Sequence, residues 1–135
     1  TSNYTAGLEK VVTGEDIVNF QSVIRNVAIA DDVARYAVRL VSSSRPGFNG
    51  APDFIGKWVN WGAGLRASHY LLLGSKARAL MNGRFNVSTQ DIQALAKPVL
   101  RHRILTNFYA ESEKISPDNI VDMLLEAVRP PKGLD

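Results

Sequence analysis

The chain contains no cysteine, which excludes a disulfide framework, a thiolate nucleophile and any zinc site built on Cys ligands. Histidine is nearly as scarce: only His69 and His102 occur. They lack metal-binding spacing and read as ordinary packing or surface residues. Purely apolar runs are only a few residues long, against the roughly 20 that a membrane-spanning helix needs. The opening TSNYTAGLEK has neither the charged nor the apolar region of an export signal, so a cytoplasmic protein without a membrane span is expected. Charge of one sign is also missing. A net +3 with mixed signs falls short of the concentrated basic field that nucleic-acid binders use, so nucleic acid is not the expected partner. Among catalytic signatures there is no G-x-x-x-x-G-K-[ST] phosphate loop, no nucleophile elbow and no H-E-x-x-H. The chain by itself is therefore not expected to be an enzyme, and no complete catalytic set can be assembled from it.

What is present is helical. At 135 residues the chain is one ordinary domain with room for a substantial core. Residues 1–12 read as an extended lead-in, 13–131 as a helical domain and 132–135 as a tail. Thr13 and Asp16 form a capping-box start, followed by Ile17, Phe20, Ile24 and Val27 at helical spacing. Asp31 is expected to cap a second helix with Val33, Tyr36, Ala37, Leu40 and Val41 on its inner face. SSSRPGFNGAPDF, residues 42–54, reads as a surface loop. Ser88 and Asp91 cap a helix that Pro98 is expected to close early. VLRHRIL, residues 99–105, fits either a strand or a further helical turn, and residues 107–115 read as loop. Ser116 with Pro117 opens a last helix whose inner face is Ile120, Val121, Leu124, Leu125 and Val128. The fold class is all-α, about five helices with at most a minor two-stranded element.

These elements are organised around Trp58 to Phe85, WVNWGAGLRASHYLLLGSKARALMNGRF. From Arg66 to Asn82 no proline interrupts, and apolar side chains fall on nearly every side, the pattern of a central helix enclosed by others. Ala67 and Gly74 make one small-residue stripe and Ser68, Ser75 and Ala79 another, allowing close neighbours. Gly83 is expected to end the helix in the left-handed conformation. At the other end, Gly62 and Gly64 flank Ala63 and leave the N–H groups of Leu65, Arg66 and Ala67 free to face an anion. Arg66 adds a guanidinium suited to phosphate oxygens; a pairing with an acidic side chain of a neighbouring helix is the structural alternative. Trp58 and Trp61 bracket this turn and are expected to cover the core. Arg101, His102 and Arg103 form a small basic knot, a solvated face or a subunit contact more readily than a nucleic-acid reader.

From Thr13 to Pro131 the sequence resembles the C-terminal helical lid of MoxR-type AAA+ ATPases. The resemblance is plainest in WGAGLRASHYLLLGSKARALMNGRFNVSTQDIQALAKPVLRHRI and NFYAESEKISPDN. The family pattern at the central turn reads like W-G-A-[SG]-P-R-A. Gly62, Ala63, Gly64, Arg66 and Ala67 match it, and Leu65 stands where proline is usual. The resemblance implies that residues 1–12 are a junction from an AAA+ core not contained here. It also implies that Arg66, with Gly62, Ala63 and Gly64 beside it, serves as the "sensor 2" arginine on ATP and Mg held by that core, with no cofactor held tightly by this chain alone. The expected partners are the chain's own core, neighbouring subunits of a hexameric ring and a client protein matured in a chaperone-like way, with Arg101 and Arg103 the candidate subunit or partner contact. The alternative from another class is a free-standing helical nucleic-acid-binding or protein-interaction domain using Arg101 to Arg103.

Overall fold

A computed structural model describes Gly7 and residues 9–131; the rest of the lead-in and the 132–135 tail lie outside the described residues. Among these, seven helices and two short strands follow in order: α1 (Gly14–Arg25), α2 (Asp31–Ser42), α3 (Asp53–Trp58), β1 (Val59–Trp61), α4 (Leu65–Met81), α5 (Thr89–Leu100), β2 (Leu105–Thr106), α6 (Phe108–Ser112) and α7 (Pro117–Ala127). The all-α class with one minor strand pair is what the sequence leads one to expect. The two extra helices are α3 and α6, both too short to show a repeating apolar face. Helix α6 sits in a stretch that reads as loop, and α3 begins at the end of another. The side chain of Asn107 accepts from the Ala110 N–H at 3.0 Å and donates to the Lys57 carbonyl at 2.8 Å. One residue thereby caps α6 and ties it to the end of α3.

Helix α4 is central: α1, α2 and α5 pack against it, and it buries Ala67, Ser68, Leu71, Ser75 and Ala79. These are mostly small residues, so the neighbours come close. A methyl group added at Gly74 would lie 3.0 Å from Leu95 Cδ1 of α5. The enclosure is nevertheless one-sided, because Leu65, Tyr70 and Met81 are exposed. Helix α2 presents the expected face, with Val33, Tyr36, Ala37, Leu40 and Val41 all buried, and α7 contributes Ile120, Val121 and Leu124. Gly83 has the positive φ of 71°, and the Arg84 N–H reaches back to the Ala79 carbonyl at 2.9 Å, closing α4 as its sequence indicates.

Several expectations are corrected. Helix α5 does not stop at Pro98 but runs through it to Leu100. Buried Ala96 and Leu100 on either side hold the turn although proline cannot donate its hydrogen bond. Residues 99–105 thus divide between the end of α5, a turn and the first residue of β2. The N-cap of α2 is Ala30, and Asp31 is its first helical residue, where its charge faces the positive helix end. Helix α1 keeps its capping box of Thr13 and Asp16 but buries none of its residues. Ile17 and Phe20 are half-exposed, and only Val27, beyond the helix, enters the core.

Two devices fix the ends of α4. At its start, β1 pairs antiparallel with β2, Val59 facing Thr106 and Trp61 facing Leu105. At its end, Asp91 is 1% exposed and accepts from both Arg84 guanidinium nitrogens at 2.8 and 2.7 Å and from the Ser88 N–H and Oγ at 3.0 Å each. The capping box read from the sequence is therefore also a bidentate ion pair. Hydrogen bonds from Arg84 hold the Asp91 carboxyl down at about pKa 2, against the opposing cost of its burial, with help from Ser88.

Candidate functional site

The turn into α4 is built by Ser44, a residue that its loop-like sequence context conceals. Ser42, Ser43 and Ser44 are all buried. The Ser44 hydroxyl donates to the Val41 carbonyl at 2.6 Å and accepts from the Ala63 N–H at 2.9 Å. The end of α2 is thereby stitched to the start of α4. Gly62 makes this possible, since any side chain there would collide with the backbone of Ser44 and Arg45. Gly64 is the N-cap, with φ −87° and open space where a side chain would go. It supplies no side-chain cap.

The anion seat is narrower than the sequence indicates. The Ala63 N–H is spent on Ser44, and the Ala67 N–H donates to the Gly64 carbonyl at 2.9 Å. Leu65 and Arg66 keep the free amides at the positive end of the helix. The Arg66 side chain is exposed and has no hydrogen-bond, ion-pair or ring partner among the described residues. The acidic neighbour of the structural alternative is therefore not observed. Leu65 is the first helical residue and 81% exposed, so its N–H is not needed by the helix. Leu65→Pro should fold normally and melt slightly higher, by the equivalent of about 0.4–1 kcal/mol, because proline there restricts only the unfolded chain. Thermal denaturation followed by circular dichroism checks this; loss of folding would mean that Leu65 lies inside the helix.

The two tryptophans part company. Trp58 packs against the core, with Phe54 6.3 Å away and the Lys57 ammonium 4.6 Å over its ring. Trp61 is 72% exposed and does not cover the core. It lies on β1, in the two-strand ribbon with β2. The basic knot is likewise dispersed. Arg101 pairs with Asp118 of α7 at 3.2 Å. Arg103 turns the other way, donating to the Val99 carbonyl at 2.6 Å, touching His102 and stacking 5.4 Å from the Tyr70 ring. His69 and His102 are exposed, and no group of His, Asp or Glu among the described residues could hold a metal ion. Nor is any described helix long and apolar enough to cross a membrane.

Residues 59–124, the stretch from β1 into α7, match the family model described as "AAA lid domain". Over 124 residues the chain is 27% identical to the chaperone MoxR1 of Mycobacterium tuberculosis, covering 92% of this chain and 33% of MoxR1. Its fold superposes on the crystal structure of a candidate ATPase from Cytophaga hutchinsonii with a TM-score of 0.88 at 30% identity, over 96% of this chain and 39% of that one. The chain is an AAA lid domain of the MoxR type. A further relative is the uncharacterized protein YeaC of Bacillus subtilis, 32% identical over 124 residues, 92% of this chain and 36% of YeaC. The lid spans about a third of the length of the curated relatives it matches.

Proposed function

We propose that this lid works in an ATP-hydrolysing MoxR-type protein, where Arg66 acts as a sensor 2 arginine on the phosphates of ATP bound, with magnesium, by an AAA+ core. The observation that carries this reading is the state of Arg66. It projects unpaired and exposed from the first turn of α4, beside two free amides at the positive end of a 17-residue helix. A guanidinium and two N–H groups in that arrangement suit phosphate oxygens. Gly62 and Ala63 act differently: they set the angle of the turn through Ser44 and leave the ligand contact to Arg66. In the parent protein, nucleotide state would move lid against core, and a ring of subunits would pass that motion to a client protein in a chaperone-like way. The exposed Arg101, 52% accessible beside Asp118, belongs to the surface available for neighbouring subunits.

Two measurements on Arg66→Ala test the proposal. In the isolated lid the melting temperature should stay within about 1 °C of the parent, since an exposed side chain without partners contributes little to folding. In the full-length protein the same change should lower ATP turnover by about tenfold to a hundredfold, the loss of a charge-assisted phosphate contact. A strongly destabilised isolated lid would make Arg66 structural. Unchanged nucleotide affinity and turnover would remove it from the ATP site.

A further inference from the structure

On the side of α4 that meets α1 and α5, the chain has a groove that the ATP reading does not use. It runs between α1, α4 and α5, with a volume of about 610 Å³, over a floor that includes Ile24, Leu73, Ala77, Pro98 and Val99. A smaller hollow lined by Arg25, Leu73 and Lys76 continues it along α4. From Tyr70 to Ala77 the groove follows about 10 Å of helix, room for two helical turns of a ligand or three extended residues. Of the residues lining it, Tyr70 and Leu73 are 50% and 36% exposed.

Among the described residues, every charged group on these two linings is a cation: Arg25, Lys76 and Arg103, with no carboxylate. Arg103 is held in place by the Val99 carbonyl and the Tyr70 ring. Lys76 spends one donor on the Arg25 carbonyl at 2.9 Å and has others to offer. The Arg25 guanidinium is exposed and has no partner among the described residues. An apolar floor bordered by positive charge complements one chemistry in particular, a short segment with two or three apolar side chains and a neighbouring carboxylate. A phosphodiester chain would leave the apolar floor unused, and the Tyr70 ring already stacks with Arg103 on one face.

The geometry points to this groove as a docking site for an acidic, apolar peptide segment of a partner protein, a function independent of Arg66 and of nucleotide. The test is a selection of random peptides of about twelve residues displayed on phage against the 135-residue chain. The winners are then synthesised with a fluorescent label and titrated by anisotropy. Winning sequences should combine Asp or Glu with Leu, Ile or Phe. Arg25→Glu should weaken them by about tenfold, and peptides with Lys in place of the acid should regain the loss on that variant. Ala77→Arg, which fills the floor, should abolish binding, whereas Arg35→Glu on α2 should leave it unchanged. Melting curves of each variant show that the domain is intact, and the charge-swapped peptide reports on Arg25 even if one variant is weakened. Failure to select any peptide, or binding indifferent to both Arg25→Glu and Ala77→Arg, would overturn the proposal. So would Arg25-dependent binding of duplex DNA or phosphatidylglycerol vesicles in the absence of any selected peptide.

Discussion

Gly62→Ala is expected to destabilise the lid by about 3 kcal/mol or more, enough to leave much of it unfolded at 37 °C if its total stability is ordinary. An added methyl group would strike the Ser44 carbonyl and stand 2.6 Å from Arg45 Cα. Its three nearest neighbours are backbone atoms, so no rotamer change relieves the clash, and the loop after α2 must move as a unit. That movement would also break the bond from the Ala63 N–H to Ser44 Oγ, leaving a buried donor unsatisfied. Gly64→Ala is the control two residues away. It meets open space in extended backbone and should cost only about 0.5–1 kcal/mol, the difference between glycine and alanine as an N-cap. Urea denaturation of both variants decides the matter: equal losses would mean that the loop yields readily and that Gly62 has no special role.

Asp91→Ala should cost about 3 kcal/mol, or on the order of 10 °C in Tm. It removes the acceptor for four hydrogen bonds at the α4–α5 junction, and the capping box of α5 goes with it. The partner Arg84 is partly exposed and can return to water, which keeps the loss at the lower end for a broken buried pair. The same carboxylate makes stability depend on pH. Its pKa is lowered from 3.8 to about 2 in the folded lid, so the folded state binds the proton more weakly than the unfolded one. The contribution is therefore fully present above 3.8 and is lost as pH falls through about 2; linkage puts it at about 2 kcal/mol. Asp91→Asn should flatten the acid limb of the stability curve between about pH 5 and pH 1 by that amount. An unchanged acid limb would place the acid sensitivity of the lid elsewhere.

The fold was legible where a helix is long or carries its own punctuation. Thr13, Ser88 and Ser116 announce three helix starts by side chains that bond to their own first turn, and Gly83 announces an end by a conformation that other residues resist. Hidden features depended on partners distant in sequence. Ser44 looks like one more loop serine until Ala63 is beside it, and Asp91 looks like a cap until Arg84 folds back. Pro98 misleads because local propensity gives way to packing on both sides. At the site, the spacing of Gly62, Gly64 and Arg66 correctly marked the start of α4. It could not reveal that Ala63 and Ala67 use their amides internally, since those bonds depend on how the turn closes.

Helix α1 combines a well-formed start with no buried residue, and this separates local order from local stability. Its backbone hydrogen bonds are held by its cap and a shallow contact with α4, so opening it exposes little apolar surface. In deuterated solvent its amides should exchange through brief local openings, orders of magnitude faster than those around Leu71 and Ile92, which are fully buried and wait for global unfolding. The lid therefore has a slow-exchanging body and one helix that comes and goes on its own clock.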